Sequence, residues 1–183
     1  KKDILRLDMF RLEGYYQDNG YIRVRILEPK ININKKNKEI SIFISIEEGA
    51  RYRIGKISTE ANEIISEDEI LKSIQIKSKD IYSMSKIRAG VLGIAELYSE
   101  RGYAYADVNP VVKVNDKTRT VDLSIEIDNG RKVYVGEISV IGNTRTIDRV
   151  IRREFRLIEG ELFDSVKLKR SKQRINNLQF FED

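Results

Sequence analysis

Neither cysteine nor histidine occurs in the 183 residues. Their absence excludes disulfides, thiol chemistry, imidazole general bases and the usual zinc constellations. It leaves the compartment open, because a protein in an oxidising compartment can do without disulfides. No apolar run approaches the roughly 20 residues that a membrane-spanning helix needs. The opening KKDILRLDMF is charged throughout and does not read as a signal peptide. Both ends fall inside regular pattern, so the sequence reads as a portion of something longer. What remains is 40% hydrophobic and 34% charged, enough for small cores under a well-solvated surface.

The net charge of +5 is unevenly placed. Residues 145–174 hold ten Arg and Lys against five acids, and the remainder holds 24 of each sign. All of the excess therefore lies near the C-terminus.

EEGARYRIGKIS at 47–58 returns as DNGRKVYVGEIS at 128–139, 81 positions later. LEGYYQDNGYI at 12–22 returns as IAELYSERGYA at 94–104, in nearly the same register. Upstream, Leu5, Met9, Leu12 and Tyr16 step along one helical stripe, and Ile87, Val91, Ile94 and Tyr98 repeat the stepping. Gly20 and Gly102 stand where a helix ends in a left-handed residue. A third partial copy, SVKLKRSKQRINNLQFF, has Gln179 at the glycine position, which predicts a weaker or different helix end.

One complete period is legible. Arg51–Ser58 alternates as a strand. Ser66-Glu67-Asp68-Glu69 is a capping box for a short helix. Ser83 or Ser85 caps a longer helix reaching Arg101. Tyr103–Val114 reads as a second strand, Asn115-Asp116-Lys117-Thr118 as a turn, and Val121, Leu123, Ile125 and Ile127 as one face of a third strand. The fold class is α+β: tandem β-α-α-β-β modules, each a three-stranded mixed sheet covered on one face by two helices. The expected division is 1–49, the helix-strand-strand end of one module; 50–130, a complete module; and 131–183, the strand-helix-helix start of the next. Strands are expected at Tyr21–Leu27 and through Ile40, Ile42, Ile44 and Ile46, and Glu-Glu-Gly and Asp-Asn-Gly form the joints.

This order, with acidic-x-Gly joints, resembles the POTRA family, the polypeptide-transport-associated repeats of outer-membrane assembly proteins. IGNTRTIDRVIRREFRLIEGELFD followed by RINNLQFFED is similar to the unit preceding the membrane barrel in barrel-assembly factors. The resemblance covers the whole chain as the end of a third unit, a complete fourth and the start of a fifth. It implies a non-enzymatic role at the periplasmic side of the bacterial outer membrane. It implies unfolded outer-membrane protein precursors and accessory assembly lipoproteins as partners, and a C-terminal membrane β-barrel in the same full-length chain. Transporters of the translocation-and-assembly and two-partner-secretion kinds are the nearest alternatives. A cell-division scaffold with one such unit fits less well, because the period here is tandem.

No constellation suggests catalysis, a cofactor or a metal. Glu47/Glu48 and Glu67/Asp68/Glu69 lie at a joint and a helix start, where acids solvate or complement backbone N–H groups. Gly90 and Gly93 read as close-packing sites within a helix. Recognition is expected instead from backbone. An unpaired strand edge offers N–H and C=O groups to any extended chain. The candidate edges are Tyr21–Leu27, with Tyr21, Ile22, Arg23, Val24, Arg25 and Ile26, and Ala104–Val114, led by Ala104, Tyr105 and Ala106. Arg23 and Arg25 equally suit plain protection of an edge against aggregation, and Pro110 lacks a donor. The basic C-terminal segment reads as a solvated face or as a dock for an acidic partner or anionic headgroups. Carried over from the resemblance, the RREFRLIEG stretch contributes lipoprotein docking through Arg152, Arg153 and Glu159. A nucleic-acid interface would need aromatics interleaved with the cations, and only Phe155 and Phe163 lie there, each on an apolar face.

Overall fold

The computed structural model describes residues 2–60, 63–143 and 146–179. Its elements run α1 (Lys2–Asp18), β1 (Arg25–Ile26), β2 (Lys30–Asn34), β3 (Glu39–Phe43), β4 (Ile46–Glu47), β5 (Arg53–Thr59), α2 (Glu67–Ser73), α3 (Met84–Glu100), β6 (Asp107–Asn115), β7 (Thr120–Asp128), α4 (Asp148–Arg152) and α5 (Ser165–Asn176). The fold is α+β, with sheet orders β1-β4, β2-β3 and β5-β7-β6. By proximity the chain gathers into two compact units. One holds 1–58, 74–90 and 110–124; the other holds 59–73, 91–109 and 125–183.

In the first unit the core is Val24, Tyr52, Ile54, Ile74, Ile76, Tyr82, Ile87, Val121 and Leu123. The start of α3 obeys its sequence signal: Ser83 Oγ accepts from Lys86 N at 3.3 Å. A Cβ on Gly90 would lie 3.0 Å from Ile74 Cα, so this glycine is a close-packing site. The Asn115 turn is also as expected, with its Oδ1 accepting from Lys117 N and Thr118 N. Asn34 does the same for Lys36 N and Asn37 N between β2 and β3. In that hairpin Ile31 faces Ile42 and Ile33 faces Ile40, all four exposed.

In the second unit the core is Ile65, Ile70, Ile94, Tyr98, Val108, Ile125 and Ile151. Ser66 caps α2 as its sequence position implies, its Oγ accepting from Glu69 N at 3.4 Å, while the Glu69 carboxylate turns to Ser66 Oγ and Arg101 instead of the Ser66 backbone N–H. Asp164 caps α5, accepting from Val166 N and Lys167 N.

The three-stranded sheet is mixed. Arg53, Lys56 and Thr59 of β5 bond to Arg119, Asp122 and Ile125 in ascending order, which makes β5 and β7 parallel. A four-residue turn joins β6 to β7 as a hairpin. Along β7, Val121, Leu123 and Ile125 are buried while Asp122 and Glu126 are exposed, so one face carries the core.

The strand expected through Ile40, Ile42, Ile44 and Ile46 is broken at Ile44 and Ser45 into β3 and β4, which pair in different sheets. Three other expected strands are shorter than their patterns. Of Tyr21–Leu27 the paired part begins at Arg25, because Val24 N bonds to Tyr21 O and turns the chain; Arg25 and Ile26 pair with Glu47 and Ile46, and Leu27 N donates to Ser45 O. Of Ala104–Val114 the paired part begins at Asp107, because Ala106 N bonds to Tyr103 O in the equivalent turn. Alternation could not register a turn that precedes each strand. The third is the strand expected at the start of 131–183. It is reduced to one bridge, Tyr134 to Leu162, among the described residues. A strand exists only by pairing, and these residues contain no neighbouring strand to pair with it.

The repeat extends to individual backbone bonds. Tyr21 N returns to Tyr16 O and Tyr103 N to Tyr98 O, closing α1 and α3. Tyr16 meets Tyr21 edge-on at 5.6 Å, and Tyr98 meets Tyr103 at 6.3 Å. Gly20 and Gly102 have φ of 95° and 89°, and their carbonyls accept from Tyr52 N and Val133 N, both at 2.8 Å. A Cβ on Gly20 would lie 2.8 Å from Tyr52 O, and one on Gly102 would lie 2.5 Å from the Leu162 side chain. Gln179 keeps the left-handed turn with φ of 54°. The third helix end therefore shares the left-handed residue, whose N–H bonds to Asn176 O as Gly20 N does to Gln17 O, at the steric cost of a side chain.

Glu154 is the buried acid of the C-terminal segment. Arg174 reaches it through Nη2 at 2.7 Å and Nε at 2.9 Å, and Arg153 Nε reaches it at 3.2 Å. The Arg174 hydrogen bond, outweighing burial, holds its carboxyl below the usual range.

Three outcomes are expected. Gly20→Ala lowers stability in denaturant titration by about 2 kcal/mol, from the left-handed penalty plus the contact with Tyr52 O. Gly14→Ala, inside α1 with open space at its Cβ, raises it by about 0.5–1 kcal/mol. The Glu154 interaction adds stability above the ordinary carboxylate value of about 4.3, and that stability disappears as pH falls through the depressed folded value. Glu154→Gln is expected to be less stable at neutral pH and to show a flatter stability profile on acidification below about pH 4.5, read by denaturation at each pH.

Candidate functional site

The sequence-predicted edge residues do not form one surface row. Tyr21, Ile22 and Arg23 lie in the turn after α1, and Val24 is buried. Arg25 and Ile26 form β1, paired with Glu47 and Ile46. Arg23 is not simply an edge-guarding cation. Its Nη2 lies 3.0 Å from Asp116 Oδ2, and the other oxygen of Asp116 accepts from Tyr52 Oη at 2.6 Å. The tyrosine hydrogen bond holds the Asp116 carboxyl below its usual range, with Arg23 adding to the effect. The same bond pushes the Tyr52 phenol up. Ala104 and Ala106 are half-buried in the second turn, while Tyr105 is 80% exposed.

The backbone edge that the topology does offer is β6. It is the outer strand of β5-β7-β6, nine residues long and exposed over most of its length. The other outer strand, β5, is partly occupied. Ile54 exchanges bonds with Asp80 O and Lys79 N, and Arg53 bridges Ile81. Among the described residues no strand pairs on the outer side of β6. Pro110 in its middle removes one donor.

Asp18, at the end of α1, is a second residue that periodicity could not reveal. Its Oδ1 accepts from Ser85 N at 2.8 Å and from Ser83 Oγ at 2.9 Å, so one helix's last residue caps the first turn of another. Burial works to raise the Asp18 pKa, but the hydrogen bonds from Ser85 and Ser83 and the charge of Lys86 outweigh it and lower it. Tyr16 Oη donates to Glu48 at 3.1 Å, which engages one acid of the first joint.

The docking candidates separate into two groups. Arg152 and Glu159 come together at 3.8 Å. Arg152 Nε also pairs with Asp148 at 2.6 Å, and Glu159 accepts from Ile138 N at 2.8 Å. Beside them Ile138, Phe155, Leu157 and Ile158 line a cleft of about 270 Å³. Arg153 turns to Glu154 instead. The sequence showed this cationic excess but not which charges it paired.

Among the described residues no group of side chains is arranged to hold a metal, and no helix is long and apolar enough to cross a membrane. What the arrangement offers is an open strand edge, hydrogen-bonded joints and a charged apolar-lined cleft.

The POTRA family, described as surface antigen variable number repeat, matches residues 1–49, 52–130 and 133–183. The outer membrane protein assembly factor BamA of Neisseria meningitidis serogroup B is 37% identical over 178 residues, covering 96% of this chain and 22% of that protein. BamA of Neorickettsia risticii is 31% identical over 186 residues, covering 100% of this chain and 24% of that protein. The chain thus spans less than a quarter of the length of these relatives. Among solved structures, Haemophilus influenzae BamA POTRA3-5 superimposes with a TM-score of 0.81 at 26% identity, over 97% of this chain and 70% of that one. Haemophilus ducreyi BamA lacking POTRA domains 1-3 gives 0.62 at 26% identity, over 72% of this chain and 25% of that one. With three family matches laid end to end along it, the chain belongs to the POTRA family.

Proposed function

We propose that this chain is the periplasmic POTRA region of an outer-membrane β-barrel assembly factor of the BamA kind. In this reading it binds unfolded outer-membrane protein precursors by adding their strands to its own sheet edge. It acts as a binding scaffold and not as an enzyme. Residues 1–49, 50–130 and 131–183 are the end of one unit, a complete unit and the start of the next. Both proposed boundaries fall beside glycines with positive φ, Gly49 and Gly130. Arg152, Arg153 and Glu159 dock an accessory lipoprotein, and the full-length chain continues into a membrane barrel.

The observation that carries the reading is the outer position of β6. A main-chain edge pairs with any extended segment, which suits a receptor for many different precursors. Arg25 and Ile26 supply a second, shorter edge on β1, and Tyr21–Val24 and Ala104–Ala106 are the turns that aim the two edges. The Arg152–Glu159 pair beside an apolar cleft suits a partner presenting opposite charges around an apolar anchor.

An isotope-labelled sample of the chain, titrated with a peptide of alternating barrel-strand sequence, tests the edge directly. Amide shifts are expected along residues 107–115 and at 25–26. The same peptide with alternate amides N-methylated, which removes main-chain donors on one side, is expected to lose binding. Equal binding of the methylated peptide, or shifts confined to other residues, contradicts strand addition.

A further inference from the structure

The C-terminal segment holds a charged recess that neither strand addition nor the Arg152–Glu159 cleft uses. Arg156, Lys167, Arg170, Gln173 and Arg174 line a cavity of about 460 Å³. Among the described residues its lining contains four cations, one amide and no acid. On α5, Lys167, Arg170 and Arg174 are spaced i, i+3 and i+7, which places them on one helical face.

Arg156 is brought to that face by a buried hydroxyl. Ser171 is 1% exposed; its Oγ accepts from Arg156 N and donates to Lys167 O, both at 2.7 Å. The arginine's main chain is therefore pinned to the helix that bears the other three cations.

Two of the four charges are compensated. Lys167 Nζ lies 3.3 Å from Glu161, and Arg174 pairs with Glu154. Arg156 and Arg170 have no carboxylate within ion-pair distance among the described residues. Two uncompensated guanidinium groups thus face a recess of ligand size, and their mutual repulsion is relieved by an anion between them.

We propose that this recess binds a phosphate group. Guanidinium forks match phosphate oxygens in pairs, and two free cations match the charge of a dianionic phosphate monoester. A carboxylate supplies only one charge. A recess of this volume admits a phosphate with a short organic attachment, borne either by a lipid headgroup or by a soluble molecule. The assignment is independent of the strand-addition reading.

The experiment uses the 183-residue chain with inorganic phosphate in calorimetric titration. It adds co-sedimentation with phosphatidylcholine vesicles, plain or doped with phosphatidic acid. The wild type is expected to bind phosphate more tightly as pH rises through neutrality, where inorganic phosphate loses its second proton and gains the charge that the two guanidinium groups attract. Arg156→Gln/Arg170→Gln is expected to lose at least about tenfold in affinity. Lys35→Gln/Lys36→Gln, which removes the same charge from the turn between β2 and β3, is expected to lose nothing. Arg156→Lys/Arg170→Lys, which keeps charge and surface, is expected to fall severalfold for want of the paired bonds. Binding to doped vesicles as well as to phosphate assigns a headgroup source; binding to phosphate alone assigns a soluble one. No binding to either, equal losses in the two glutamine pairs, or displacement of phosphate by a polyglutamate peptide at equal charge concentration overturns the proposal.

Discussion

A single backbone hydrogen bond sets the geometry on which the remainder is built. It runs from the amide that opens a new segment to the carbonyl of the glycine that ends the preceding long helix. Tyr52 N to Gly20 O is one example and Val133 N to Gly102 O is the other. For that carbonyl to accept, the glycine turns left-handed, and the space of a Cβ is taken by Tyr52 O at Gly20 and by the Leu162 side chain at Gly102. The bonds around it recur 81 residues later. Tyr82 N to Tyr52 O becomes Phe163 N to Val133 O, and Lys79 N to Ile54 O becomes Gly160 N to Val135 O. A repeat that looked sparse in side chains is dense in main-chain bonds, since those bonds constrain conformation far more than identity.

That distinction explains what could be read from the sequence. The helices were legible because burial on one stripe repeats every three or four residues: Ile87, Ile94 and Tyr98 are all buried on α3. Strand β7 was legible because its alternation matches its burial. The Ser66 cap was legible because its hydroxyl and Glu69 N meet within one turn. The turns at Tyr21–Val24 and Tyr103–Ala106 were not, because their residues continue the alternation of the strands they precede. The segment after Val133 was not, because pairing depends on a neighbour and not on pattern alone.

The polar contacts were hidden for a related reason. Arg23 and Asp116 are 93 positions apart, and Asp18 and Ser85 are 67 apart. Each partner has a sufficient local explanation, as an edge cation, a turn residue or a helix terminus, so nothing in the sequence asks for the long-range bond. The C-terminal charge is the converse case. Its sign was evident, but only coordinates separate Arg174, committed to Glu154, from Arg156 and Arg170, which face open space.

Amide hydrogen exchange at Tyr52 and Val133 tests the central claim most directly. If the helix-ending carbonyls hold the joints, both amides exchange as slowly as that of Ile54, a buried residue of β5 whose N–H is bonded to Asp80 O. Exchange at either joint as fast as at the exposed Lys36 amide would mean that the bond is not held in solution, and would contradict the account.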